Sequence, residues 1–202
     1  RGSIGAGDVP WMTAASGVVP EEFHSERFTR AGGVLEMVQL WVNLPAKDKM
    51  TKPRYQELLD AQIPRVALAD GAGSVRVIAG QFQGVQGPAK TYTPVEAWDV
   101  QLSAGGAAEL HFVEGHTTLL IVQQGKLLVN GNTPAKAVEL VLFDRAGETI
   151  RVTAETDARV LALSGQPLGE PIVGQGPFVM NTREEIRQAI EDFQAGRMGH
   201  LA

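Results

Sequence analysis

The side chains of this 202-residue chain that most readily carry chemistry are its carboxylates and histidines, since the sequence contains no cysteine. Without cysteine, a disulfide framework and a thiolate site are both excluded. Asp8, Glu22 and Glu36 are the acidic candidates for a site in the amino-terminal part of the chain. Asp8 also suits a turn and Glu36 an outward strand position, so the sequence alone does not support an acid–base pair of carboxylates. A glycine-rich phosphate loop and a Gly-x-Ser-x-Gly elbow are both absent.

Composition and charge bound the fold and the partners. A hydrophobic content of 44% allows one large core or two small ones, and 11 prolines with 23 glycines suit many short strands and turns. The net charge of −5 and the lack of a basic run argue against direct nucleic-acid binding. No apolar stretch is long enough to span a bilayer, and no charged-then-apolar leader opens the chain. We therefore expect a cytoplasmic protein with no membrane association.

The clearest structural signal is a series of short apolar strands in the carboxyl-terminal half. Each is bounded by glycine or acidic turn residues, and no helical pattern lies between them, which is typical of an all-β sandwich or barrel. Before this series, residues 63–92 contain brief apolar runs broken by glycines, a pattern typical of hairpins. The strands predicted for the later series are 97–102, 108–112, 118–122, 126–129, 138–142, 149–152 and 158–163.

The segment before residue 63 combines a strand with a long loop. Leu35–Val42 is rich in apolar and strand-favouring residues, so we predict a buried strand there. Pro45 and Pro53 then interrupt any continuous element, and residues 45–62 are predicted to cross the surface as a charged loop. Within this loop we predict a short helical stretch at Tyr55–Leu59.

The carboxyl terminus has a helical pattern. Thr182 and Glu185 form a capping box, apolar residues recur at helical spacing after them, and Gly196 is placed to end the helix. The pattern predicts an amphipathic helix over residues 182–195.

Three separated sequence blocks carry a family resemblance. They are Gly7–Ala14 (GDVPWMTA), Gln39–Gln56 (QLWVNLPAKDKMTKPRYQ) and Gly176–Thr182 (GPFVMNT). In this order they closely resemble the pirin family, over nearly the whole chain. The resemblance implies an all-β fold of tandem cupin (double-stranded β-helix or jelly-roll) barrels, the first incomplete, followed by a C-terminal α-helix. Residues 1–62 would be the remainder of the first barrel with the crossing loop, 63–181 the second barrel, and 182–202 the helix and tail.

The resemblance also implies a cofactor, an activity and partners. Pirins carry Fe(II) in the first barrel and none in the second. Some act as flavonol (quercetin) 2,3-dioxygenases, in which the metal would stabilise charge and orient the substrate. Others bind transcription factors in an iron-dependent way. The resemblance therefore suggests either a flavonol-like small molecule or a regulatory protein as the partner.

The iron ligands implied by the resemblance are mostly missing. The family has a His-x-His pair upstream of the Gly-Asp-Val turn, and this chain begins at Arg1, just before that turn. The next His-x-Glu ligands align with Pro20 and Glu22, and proline offers no donor atom. Glu22 is thus the one implied metal ligand, and a possible catalytic base. His24 shares a strand face with residues 20 and 22, but we expect it on the surface or against a pocket.

Two explanations for the missing pair stay open. The chain could be a fragment of a longer protein, or a naturally shortened, metal-free relative. Truncation accounts for the absent His-x-His pair but not for Pro20. A barrel without its first strands would expose an apolar edge. We therefore predict self-association or a covering segment.

The second barrel follows the general cupin spacing Gly-x5-His-x-His-x4-Glu-x6-Gly. Gly105, His111, Val113, Thr118 and Gly125 fall on its five positions. Only one of the three ligand positions keeps a strong metal donor, so this barrel is predicted to hold no metal. His116 lies near a turn, and we predict that it faces solvent.

Two functional hypotheses result. In the first, the chain is a pirin-type dioxygenase, with Trp11, Met12 and Phe23 lining an apolar pocket of flavonol size, although these residues also suit an ordinary core. In the second, the barrels have lost iron and act as a scaffold or regulatory protein-binding module. Because one carboxylate does not retain Fe(II) against water, we expect the dioxygenase activity to be impaired or absent in this chain.

Overall fold

A computed structural model describes the chain over residues 4–19 and 23–199. The chain forms two compact units. The barrel unit consists of Ala6–Val9 and Leu58–Pro167. The split unit consists mainly of Pro10–Glu57 and of the segment that begins at Leu168. Among the described residues, neither α-helix has the length and apolar character needed to cross a bilayer.

The first part of the split unit has few regular elements. Strand β1 (Val9–Thr13) pairs with β2 (Arg54–Leu58), and the short helix α1 (Glu26–Ala31) lies between them in sequence. Ser25 caps α1 by accepting a hydrogen bond at its Oγ from the Phe28 amide. Residues 32–45 form no helix or strand. The chain here follows an irregular path between short elements.

The barrel unit contains twelve further strands, of which ten make two sheets. The four-stranded sheet has the order β11-β10-β13-β8, and the six-stranded sheet has the order β12-β9-β14-β7-β4-β3. The remaining two strands form a hairpin, β5 with β6. The strands are β3 (Arg65–Ala67), β4 (Gly73–Ala79), β5 (Gln81–Phe82), β6 (Val85–Gln86), β7 (Val95–Leu102), β8 (Ala107–His111), β9 (Thr117–Gln124), β10 (Lys126–Val129), β11 (Thr133–Lys136), β12 (Leu140–Leu142), β13 (Thr149–Ala154) and β14 (Ala158–Gly165).

The core of the barrel unit is filled by alternate residues of these strands. In β9, Thr118, Leu120 and Val122 are buried while their neighbours are only partly covered, because successive side chains of a strand point to opposite faces. The core centres on Trp98, whose ring stacks on Phe112 and meets Phe82 edge-on. Trp98 is only 1% exposed.

A buried charge network lies on the sheet formed by β4, β7 and β14. Asp99 accepts hydrogen bonds from Arg76 at 2.8 Å and from Arg159 at 2.9 and 3.1 Å. Arg76 also pairs with Asp60 at 2.7 Å, so each of its two terminal nitrogens has an anionic partner. Burial acts to raise the pKa of Asp99, but the hydrogen bonds and charges of Arg159 and Arg76 outweigh it and hold the pKa below its ordinary value.

The second part of the split unit is a hairpin followed by a helix. Strand β15 (Val173–Gln175) pairs with β16 (Phe178–Met180), and helix α2 spans Arg183–Gln194. Thr182 caps α2 by accepting a hydrogen bond at its Oγ1 from the Glu185 amide, and the Glu185 carboxylate accepts one from the Thr182 amide. This capping box and the predicted C-terminal helix are confirmed.

One lysine of the split unit is buried. Lys49 is 5% exposed and donates hydrogen bonds to Asn43 Oδ1 at 2.7 Å and to the Val179 carbonyl at 3.1 Å. Burial lowers the pKa of Lys49 from its ordinary value, opposed by the charges of Glu170 and Glu185. Lys49 thus joins the loop after residue 43 to the carboxyl-terminal hairpin.

Three sequence predictions about the strands and helices are wrong in detail. The predicted helical stretch at Tyr55–Leu59 is instead extended, and all of it except Leu59 belongs to strand β2, because pairing with the distant β1 overrides the local pattern. The predicted buried strand Leu35–Val42 is irregular, and its large apolar side chains are 40–65% exposed. The strand predicted from Val138 begins at Leu140, because Val138 has a φ of +71°, which extended strand does not allow.

Candidate functional site

The two positions on which the iron prediction depends, Pro20 and Glu22, lie outside the described residues. The role of Glu22 as a metal ligand or base therefore stays a prediction. His24 lies two residues after Glu22, is exposed, and stacks its ring on Phe28 with the centroids 5.3 Å apart.

The residues predicted to line a pocket are placed as follows. Trp11 and Met12 are successive residues of β1, so their side chains point to opposite faces of the strand. Trp11 is half-buried, whereas Met12 and Phe23 are exposed. The structure does not bring Trp11 and Met12 to one surface, and a pocket formed by the three residues stays a prediction.

The described residues do not fit an iron site on their own. Within residues 4–19 and 23–199, no group of three or more histidines, aspartates or glutamates is placed to hold a metal ion. His24 belongs to the split unit, whereas His111 and His116 belong to the barrel unit. A cupin-type ligand set would need further donors from outside this described part of the chain.

In the barrel unit, the positions of the cupin spacing do not converge. Leu110 and Phe112 face the core, so His111 and Val113 point to the other side and are more than half exposed. Thr118 points inward and donates a hydrogen bond to Ser164 at 3.0 Å. The glycine at the end of the pattern has a structural role: Gly125 has a φ of +83°, and a Cβ there would lie 2.2 Å from the Asp157 carbonyl oxygen.

A cavity of about 240 Å³ opens beside this pattern in the barrel unit. Two loops form its wall, and backbone hydrogen bonds of 2.8 Å join them, from Phe112 to Glu148 and from Gly115 to Arg145. The lining combines aromatic and aliphatic side chains with several hydrogen-bonding groups and two acidic residues. The lining residues are Phe112, Val113, His116, Thr118, Asn130, Phe143, Asp144, Ala146, Gly147, Glu148, Thr149 and Ile150.

His116 is the buried titratable residue of this cavity. It is 8% exposed, so the prediction that it faces solvent is wrong. Its Nδ1 lies 3.7 Å from Oε2 of Glu96. Both atoms are buried and have no hydrogen-bond partner among the described residues, and the same holds for Nε1 of Trp98. Buried polar groups are nearly always hydrogen-bonded, so three such atoms in one barrel interior call for an explanation.

A strand-level signal in the sequence could have located His116 and Glu96. His116 precedes β9 by one residue and is in phase with Thr118, Leu120 and Val122, which are the inward positions. Glu96 is likewise in phase with the buried Trp98 on β7. The adjacent turn at Gly115 instead favours a solvent-facing histidine, which is why the turn pattern alone is misleading here.

Sequence comparison covers both parts of the chain. Residues 97–199 match the pirin C-terminal cupin domain family, and residues 1–42 match the pirin family. A Pseudomonas aeruginosa protein named "Putative quercetin 2,3-dioxygenase PA2418" is 57% identical over 196 residues, which are 97% of this chain and 68% of that protein. The chain belongs to the pirin family. A pirin-like protein of Caulobacter vibrioides is 44% identical over 98% of this chain and 70% of its own length.

Structural comparison agrees with this pirin assignment. The crystal structure of quercetin 2,3-dioxygenase from Acinetobacter baumannii superimposes with a TM-score of 0.95 at 46% identity, over 98% of this chain and 69% of that one. A Geobacillus kaustophilus protein, GK1651, superimposes with a TM-score of 0.75 at 32% identity, over 83% of this chain and 67% of that one. The predicted tandem cupin fold with a C-terminal helix is confirmed.

Proposed function

We propose that this pirin is of the quercetin 2,3-dioxygenase type and acts on a flavonol-like small molecule, with this activity impaired or absent in the 202-residue chain. The observation that carries the proposal is the likeness to proteins with that activity in their names: 57% identity to the Pseudomonas aeruginosa protein, and a TM-score of 0.95 to the Acinetobacter baumannii structure. The natural compartment in this proposal is the cytoplasm.

The cofactor of this reaction in our proposal is Fe(II), with Glu22 as one ligand and possible base. The remaining ligands would be histidines. This chain has proline at position 20, where the pirin pattern has one of these histidines. The described residues contribute no complete ligand set. We therefore expect the 202-residue chain to bind Fe(II) far below stoichiometry.

Anaerobic iron loading tests this proposal. The purified chain, Pro20→His, and an extended Pro20→His chain that adds an upstream strand pair with His-x-His are each incubated with Fe(II) and desalted. Their iron is then measured by mass spectrometry, and oxygen uptake is recorded with quercetin. We expect stoichiometric iron and quercetin-dependent oxygen uptake only in the extended variant, because only that variant has four donors.

A matched control separates a ligand effect from a backbone effect. Pro20→Ala removes the ring constraint without adding a donor, so it should bind no more iron than the unmodified chain. Stoichiometric iron in the unmodified chain would overturn the assignment of Pro20 as a lost ligand. An iron-loaded extended variant that leaves quercetin unchanged would overturn the dioxygenase proposal itself.

A second candidate function is a metal-free scaffold that binds a regulatory protein. Pro20 supports it, because a proline at a ligand position is a direct loss of metal-binding capacity. The net charge of −5 supports a protein partner rather than direct nucleic-acid binding. Failure of the extended Pro20→His variant to retain iron would favour this scaffold over the enzyme.

A further inference from the structure

We propose that the barrel unit binds a small, uncharged, single-ring phenol in the cavity beside His116. The site is separate from the iron chemistry proposed above, since no metal ligand set exists among the described residues that line it. It rests on a cavity of about 240 Å³ and on His116, a buried histidine of its lining whose Nδ1 atom has no hydrogen-bond partner among the described residues.

The Glu96–His116 pair determines which hydrogen bond the cavity offers. Glu96 lies 3.7 Å from Nδ1, so a small adjustment lets its carboxylate accept a hydrogen bond from Nδ1–H. A carboxylate at one ring nitrogen favours the tautomer that carries the proton there and leaves the other nitrogen as an acceptor. Nε2 of His116 is then an acceptor for a ligand hydroxyl group. Glu96 is a positioning residue in this arrangement, because it is not part of the cavity lining.

The shape and polarity of the lining select the rest of the ligand. Phe112 and Phe143 provide aromatic surface, and aromatic rings pack well against a planar ring. The volume lies below the range of about 300–1,000 Å³ typical of pockets for drug-sized ligands, so a single ring fits better than a multi-ring molecule.

Charge excludes the anionic alternatives. Asp144 and Glu148 are exposed residues of the lining, whereas the described lining contains no lysine or arginine. Like charges repel, so a carboxylate or phosphate ligand is disfavoured. A phenol keeps the hydroxyl donor while remaining uncharged at neutral pH, and it meets all three requirements.

Ligand comparison on the unmodified chain is the first test. Phenol, anisole and benzoate share one ring but differ in having a neutral donor, no donor, and an anionic group. Saturation-transfer NMR titrations should show one saturable phenol site with an affinity roughly three- to tenfold above that of anisole, the usual contribution of one hydrogen bond. Benzoate should bind more weakly than both. Absence of saturable phenol binding, or equal affinity for phenol and anisole, would overturn the proposal and leave only a buried water between His116 and Glu96.

Substitutions test the roles proposed for His116 and Glu96. His116→Phe removes the acceptor and should abolish the preference for phenol over anisole. Glu96→Gln can present either its amide oxygen or its amide nitrogen to Nδ1, so the tautomer is no longer fixed and the phenol-to-anisole affinity ratio should fall towards one. His24→Gln is the matched control, because His24 is a histidine of the split unit, and it should leave both affinities unchanged.

Thermal unfolding of each variant accompanies the titrations. A variant that unfolds at the same temperature as the unmodified chain and still prefers phenol to the full extent contradicts the role assigned to the substituted residue. Should His116→Phe fail to fold, Glu96→Gln and the ligand series on the unmodified chain still decide the outcome.

Discussion

The two units differ in how far they bury the side chain of a tryptophan. Trp98 in the barrel unit is 1% exposed and packs between aromatic rings, whereas Trp41 in the split unit is 65% exposed. Both lie in apolar runs that the sequence marks as strands. Trp98 belongs to β7, which pairs with β4 and β14, while Trp41 lies in a segment with no assigned strand.

An apolar run becomes a strand only when neighbouring strands satisfy the hydrogen bonds of its backbone. Each strand residue has an amide and a carbonyl group that need hydrogen bonds, and burial without them costs free energy. In β7 both neighbours are supplied by the same unit. In Leu35–Val42 the described residues supply no such partner, and the apolar side chains remain accessible.

The largest effect on this comparison should come from truncating the buried ring. Trp98→Ala is expected to lower the free energy of unfolding of the barrel unit by about 3–5 kcal/mol, because it leaves a cavity in a close-packed core. Urea denaturation with hydrogen exchange resolved by residue measures the loss. Trp41→Ala is the control and should change the unfolding free energy by less than about 0.5 kcal/mol. Equal losses for the two substitutions would break the contrast.

The next effect concerns the buried charges of the barrel unit. Asp99→Asn leaves Arg76 without its buried carboxylate and should cost about 3 kcal/mol of unfolding free energy at pH 7. Glu109→Gln alters the exposed pair with Arg151 and is the control, for which we expect no measurable change. Urea denaturation of the three proteins at one ionic strength makes the comparison.

The effect of Asp99→Asn should also depend on pH. The folded pKa of Asp99 is lowered, so its carboxylate stabilises the fold at pH values above its unfolded pKa, and this stabilisation is lost as the pH falls through the folded pKa. The difference in unfolding free energy between the unmodified chain and Asp99→Asn should therefore become smaller as the pH falls. A difference that stays constant between pH 7 and about pH 3 would contradict this assignment.

A smaller effect is expected at the helix of the split unit. Thr182→Ala removes the side-chain acceptor for the Glu185 amide and should destabilise α2 by about 1 kcal/mol. Hydrogen exchange of the first-turn amides of α2 reports this change directly. Glu191→Ala, on the same helix and outside the capping box, should leave those amides unaffected.

Substitutions in the exposed apolar run Leu35–Val42 should have the smallest effect on the unfolding free energy. They should nevertheless change self-association measurably. If this surface promotes self-association, Trp41→Lys should lower the mean mass measured by light scattering while leaving the unfolding free energy unchanged. Ile172→Lys replaces another exposed apolar residue of the split unit and controls for added charge. A monomeric unmodified chain would count against the self-association we predict.

Much of the barrel unit could be predicted from its sequence because its strands have local signals. Glycine and acidic residues bound the strands, and the alternation of β9 identifies its inward face. Strand β11 was missed because Pro134 lies inside it. Proline donates no backbone hydrogen bond and is tolerated there because β11 is an edge strand of its sheet.

The candidate site was harder to predict, because its features depend on contacts between residues far apart in sequence. His116 and Glu96 are 20 positions apart, and their approach follows from the placement of β7 and β9 on either side of β14. The burial of Lys49 likewise depends on Val179, 130 residues later. Local patterns identify strands and caps, whereas these pairs require the topology of the sheet and hairpin.

The division of the chain has a consequence for synthesis on the ribosome. The barrel unit is almost entirely the continuous stretch Leu58–Pro167, while the split unit needs Pro10–Glu57 and the segment after Leu168. Domains fold as they emerge, at about 5–20 residues per second of translation. Synthesis of the barrel unit is therefore complete about 1–5 s before that of α2, which ends at Gln194. During that interval, residues 10–57 lack the carboxyl-terminal part of their unit and are accessible to chaperones.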